Sequence, residues 1–165
     1  MATCKWCGKS MLFLRLSENG LCDTCEIIVI SEVVQAHNHI NESVDLIQQS
    51  SNTDTIVSRF DYIVKLLNSL LKYEKKGITT IIPPPSEFLE TYSPAKRDNY
   101  IVYGLEKELE RLQLVMVDLK TNSGKVNRVK KFSARCEEYK KQMLNPAELA
   151  EIEEETEQFL IKLNQ

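Results

Sequence analysis

The sequence predicts a mainly α protein, with a small N-terminal Cys4 zinc finger carrying a β-hairpin, followed by helical hairpins that form a bundle or an antiparallel coiled coil. Two Cys-x-x-Cys pairs, Cys4/Cys7 and Cys22/Cys25, fall within the first 25 residues. Behind them apolar residues recur at steps of three and four in five segments, the period of one helix face. Glycine and proline are scarce, five each in 165 residues, and 42% of the chain is hydrophobic, so one ordered core of ordinary size is expected.

Zinc prefers tetrahedral thiolate or imidazole ligands, and a two-residue gap lets both sulfurs of a knuckle converge on one ion. Two knuckles complete a site, which makes Cys4, Cys7, Cys22 and Cys25 the expected ligands of one structural Zn2+; a redox dithiol and an iron–sulfur cluster are the alternatives. Of the fourteen residues between the pairs, Met11 to Leu16 and Ser17 to Gly20 read as two short strands around a turn. Asn19-Gly20 has a second reading as the approach to the second knuckle. Gly8 supplies the left-handed backbone that a knuckle often needs.

The residues Cys4-x-x-Cys7-Gly8, then Gly20-Leu21-Cys22-x-x-Cys25, then a helix, resemble the treble-clef zinc fingers, and the glycine-leucine-cysteine approach is similar to that of GATA-type fingers. The resemblance spans residues 1–30 and implies that the second knuckle opens the first turn of a helix. It departs from the GATA type where DNA binding is carried. The segment after Cys25 begins Glu26-Ile27-Ile28-Val29 and holds no Lys or Arg before Arg59. Lys5, Lys9 and Arg15 balance Glu18, Asp23 and Glu26, so four thiolates around a dication leave the finger at about minus two. Such a surface repels phosphate, and treble clefs that dock proteins or serve as structural caps fit better.

The first helix is expected over Glu26–Gln49, with Ile30, Val33, His37, Ile40, Val44 and Ile47 on one face; its β-branched opening also reads as a strand. Ser50 to Thr53 offers an N-cap for a second helix, whose stripe is Ile56, Phe60, Ile63, Leu67 and Leu70 and whose end is Gly77. Pro83-Pro84-Pro85 favours extended geometry, with Ser86 capping a short turn. Ser93-Pro94 opens a third helix with a seam at Val102, Leu105, Leu109, Leu112, Met116 and Leu119, in which Gly104 is a mild penalty. Thr121 to Gly124 is a turn, followed by a returning stripe at Val126, Val129, Phe132, Cys136, Tyr139 and Met143. Asn145-Pro146 starts the last helix, with Leu149, Ile152, Thr156, Phe159 and Leu163 facing inward. The domains are therefore a finger at 1–26, a helical hairpin at 27–77, a Pro-rich connector at 78–93, and a three-helix segment with coiled-coil-like seams at 94–165.

The apolar run Ile27 to Ile30 is far too short to cross a bilayer, and the chain does not open on a signal-peptide pattern, so a cytoplasmic protein with reduced thiols and no membrane partner is expected. A net charge of −3 gives no global attraction to nucleic acid. Lys125, Arg128, Lys131 and Arg135, with Lys130, Lys140 and Lys141, form a local basic stretch, but the glutamates of the following helix are expected to neutralise it. Trp6, between the first two ligands, either packs beneath the finger or stands out as a docking anchor. His37 and His39 are spaced for different helix faces, and Cys136 reads as a buried small hydrophobe. No phosphate loop, nucleophile elbow or catalytic metal cluster is present, so no enzymatic activity is expected.

The functional expectation is an intracellular adaptor or regulator that binds a protein partner through the finger or helix faces, a composition that suits a bacterial or phage accessory role. The alternative is a nucleic-acid-binding regulator using the finger and the basic helix 125–141. Narrow seams such as Val102 to Leu119 further suggest a homodimer.

Overall fold

The computed structural model describes residues 1–78 and 84–164 and is mainly α. Its elements are β1 (Ala2–Thr3), β2 (Ser10–Met11), α1 (Asp23–Gln49), α2 (Thr53–Glu74), α3 (Pro85–Thr91), α4 (Arg97–Asp118), α5 (Asn122–Lys140) and α6 (Ala150–Asn164). Short 3-10 turns at Pro94–Lys96 and Pro146–Leu149 lead into α4 and α6. Two compact units result, one from Met1–Asp45 with Asp61–Ser93, the other from Leu46–Phe60 with Pro94–Gln165.

In the first unit, β1 and β2 pair antiparallel, with Ala2 opposite Met11 and Thr3 opposite Ser10. The hairpin thus encloses the first knuckle instead of lying between the two, as the sequence suggested. Residues 12–16 make a turn and irregular chain, which leaves Leu12 and Phe13 in solvent. The β-branched Ile27 to Ile30 is helical. The buried stripe of α1 within this unit runs Cys25, Val29, Val33, Ala36, Ile40 and Ser43, displaced from the expected Ile30, His37 and Val44. Cys25 explains the displacement: once its sulfur faces the other three, steps of three and four from it fix which residues point inward. α2 buries its anticipated Ile63, Leu67 and Leu70 in this unit, and Tyr73 with them. It stops where the Ile78 N–H donates to the Tyr73 carbonyl and Gly77 takes φ +65°, a left-handed close that glycine adopts without strain.

Thr79 to Pro83 of the Pro-rich connector lie outside the described residues. Pro85 opens α3, where a missing N–H costs nothing. Ser86 sits inside this helix and does not cap it. Its N–H and hydroxyl donate to the Glu74 carboxylate instead.

The second unit packs α4, α5 and α6 on one another with the tip of the α1–α2 hairpin. Asn122 at the start of α5 donates to the Leu163 carbonyl near the end of α6, while Lys140 pairs with Glu153, so those two helices run antiparallel. The core comprises Val57, Ile101, Leu105, Leu109, Phe132, Cys136, Tyr139, Met143, Leu149 and Ile152, with Leu112 and Val102 packed against it. Leu105 and Leu109 of the expected seam are thus buried within the unit, with Val102 and Leu112 partly buried beside them. Asn122, Ser123 and Gly124, expected as a turn, form the first turn of α5.

At the hairpin tip Asn52 caps α2, its Oδ1 accepting from the Thr55 N–H at 3.0 Å, while the Thr53 N–H donates to Glu108 at 2.8 Å. Here Gly104 is structural: a Cβ there would lie 2.8 Å from Thr53 Cγ2 and 3.0 Å from its Cα.

Candidate metal centre

Each knuckle is built by its own backbone. The Cys4 N–H donates to the Lys9 carbonyl and the Gly8 N–H to the Cys4 carbonyl, with Gly8 at φ +73°, so the chain reverses tightly enough to bring Cys4 and Cys7 together. Gly20, also at φ +73°, accepts from the Lys5 N–H and delivers Leu21 and Cys22 to the same place. α1 starts at Asp23, so Cys22 immediately precedes the helix and Cys25 lies in its first turn. Leu21, wholly buried, anchors the approach.

The sulfurs of Cys4, Cys7, Cys22 and Cys25 lie within 4.8 Å of one another. Cys7 and Cys22 are 3.9 Å apart, close to the roughly 3.8 Å edge of a tetrahedron with 2.3 Å metal–sulfur bonds. The Cys22 N–H also points at the Cys4 sulfur, 3.3 Å away, a contact that stabilises a thiolate. Burial raises the Cys4 pKa, yet backbone N–H groups from Cys7, Cys22 and Trp6 outweigh it and bring the thiol down to about 6. Cys25, desolvated and hydrogen-bonded to the neighbouring sulfurs, is pushed up to about 12. The four residues could hold a metal ion, whose binding would release thiol protons from the cluster.

Trp6 stands between Cys4 and Cys7 and is half-buried against the end of α2. Its ring lies 4.9 Å from that of Tyr73, with Lys76 Nζ 4.5 Å from its centre, and its carbonyl accepts from the same ammonium at 3.1 Å. Lys5 reaches the Gly77 carbonyl at 3.1 Å. Beside them Glu32 accepts from Lys72 and Tyr73, which hold its carboxyl below the usual range, Lys72 foremost.

The basic stretch of α5 divides by helical phase. Arg128, Lys131 and Arg135 share one flank, whereas Lys140 lies on the other and bonds Glu153 at 2.6 Å. Arg135 is held by Asp54 at 2.7 Å and Glu108 at 3.0 Å. Lys125, Arg128, Lys130, Lys131 and Lys141 form no ion pair among the described residues, so the acidic helix answers the stretch only at Lys140. Three of the four basic residues picked out by sequence, Arg128, Lys131 and Arg135, line one cleft; Lys125 does not. Arg111 of α4 lines it too, and no signal in its own helix marked it out.

His37 sits at a boundary, and His39 is exposed, 3.4 Å from Glu42. Cys136 is buried and its thiol is pushed up to about 12 by desolvation, so it is protonated at neutral pH. No described helix is long and apolar enough to cross a membrane.

No family model, curated protein or solved structure matches the chain.

Proposed function

We propose that the chain is a zinc-stabilised intracellular interaction protein, an adaptor or regulator, whose treble-clef finger and adjoining helix dock a protein partner. The observation that carries this reading is apolar surface left in solvent on both elements. Phe13 is 91% exposed and Leu12 71%, and on the outer face of α1 Ile27 is 71%, Val34 51% and Ile30 46% exposed. Ile27, Ile30 and Val34 fall at steps of three and four, opposite the buried stripe, so they form a strip and are not scattered side chains. A knuckle enclosed by β1 and β2, with the second pair at the head of α1, supports the treble clef; four cysteine sulfurs within 4.8 Å of one another, two of them 3.9 Å apart, support zinc. A four-thiolate zinc has no open coordination position, so the reading assigns no catalytic role.

The test compares proteins retained from native lysate by the intact zinc-loaded chain and by the variant Phe13→Ser/Ile27→Ser. Retention of a protein that the variant loses, while keeping one zinc per chain, supports the reading. Retention indifferent to both substitutions, or abolished by nuclease, overturns it.

A further inference from the structure

In the second unit α4, α5 and the loop between α1 and α2 line an open cleft of about 560 Å³. Arg128 and Lys131 of α5 and Arg111 of α4 line it, and its apolar part comes from Leu112, Val115 and Phe132. Arg135, also on the wall, is shared between Glu108 at 3.0 Å and Asp54 at 2.7 Å, so this trio carries one net negative charge. Arg128 and Lys131 are exposed and form no hydrogen bond or ion pair among the described residues, and Arg111 makes only a 3.3 Å contact with the Ser51 hydroxyl. Against these three cations stands one further carboxylate, Glu138.

We propose that this cleft docks an acidic segment of a partner protein, one that alternates carboxylate with apolar side chains. Guanidinium groups at Arg111 and Arg128 suit carboxylates, which they pair through parallel hydrogen bonds, and Leu112 and Val115 offer the intervening apolar side chains a dry surface. Nucleic acid matches the cations alone. A phosphate backbone has no apolar complement, and the only aromatic ring lining the cleft, Phe132, is 6% exposed and offers no face for base stacking. The proposal rests on the reading of the chain as an interaction protein but uses another surface in the other unit.

The test is fluorescence anisotropy of labelled probes on the intact zinc-loaded chain: a peptide alternating Glu and Leu, an all-Glu peptide of equal charge, and a single-stranded oligonucleotide of equal charge. The alternating peptide should bind saturably and lose affinity at least tenfold with Arg128→Glu/Lys131→Glu. Lys130→Glu/Lys141→Glu, which reverses two exposed cations outside the cleft, should leave it unchanged, and circular dichroism checks that both variants stay folded. Absence of saturable binding, equal loss in both variants, or equal or tighter binding of either comparison probe overturns the proposal. So does a doubled mass in light scattering that Arg128→Glu/Lys131→Glu abolishes, since a second copy would then occupy the cleft. Phe13→Ser/Ile27→Ser should not change this affinity, so the cleft and the finger surface stand or fall separately.

Discussion

Gly104 carries opposite meanings in sequence and in structure. In an isolated helix, glycine to alanine gains about 1 kcal/mol. Against Thr53 the added methyl meets backbone at 3.0 Å, which a rotamer change cannot relieve, so Gly104→Ala should lower the thermal midpoint of unfolding. A rise would show that α4 shifts freely. Ser43 gives the reverse case: its hydroxyl is fully buried with no hydrogen-bond partner among the described residues. Removing an unsatisfied polar group relieves desolvation, so Ser43→Ala should leave stability unchanged or raise it by up to about 1 kcal/mol in denaturant titration. Neither position was legible in advance, because both depend on what another helix presents. The four cysteines were legible, since their spacing encodes local geometry that no distant residue alters.

Helices were read more faithfully than the surfaces they present. The stripe of α2 matched because large apolar residues recur on a single face, whereas α1 is apolar on two faces near its start and only the knuckle sets its phase. The connector and the turn before α5 show the same limit, since Ser86 and Gly124 are as compatible with a helix's first turn as with a loop. Leu109 of α4 is 3% exposed in the core, so Leu109→Ala should cost about 2–5 kcal/mol in equilibrium unfolding. Two acids bind helices together. Asp54 is held below the usual carboxylate range by Tyr139 first and Arg135 next, and Glu32 by Lys72 and Tyr73. A carboxyl whose folded pKa is depressed binds its proton more readily when unfolded. Its stabilisation is therefore complete above the unfolded value near 4 and lost as pH falls through the folded one. Unfolding midpoints should drop as pH falls below about 4, and Asp54→Asn should flatten that slope.

At the scale of the molecule, chain order and packing order differ. Leu46–Phe60 joins α4 to α6 in one compact unit, although the sequence places it inside the first hairpin. Deleting residues 145–165 would therefore remove Leu149 and Ile152 from a core, beyond uncovering charge. The finger carries its own dependence. Zinc binding and folding of such modules share about 10 kcal/mol or more, so Cys22→Ser or chelation should abolish zinc retention and expose finger amides to hydrogen exchange. Retention of one zinc per chain by Cys22→Ser would refute the four-thiolate site. Because Trp6 is the sole indole of the protein and lies between Cys4 and Cys7, against Tyr73 and beneath Lys76, its emission is a native optical gauge of the knuckle. On the zinc reading proposed above, loading of the site would then register as a change of wavelength and intensity in unlabelled protein.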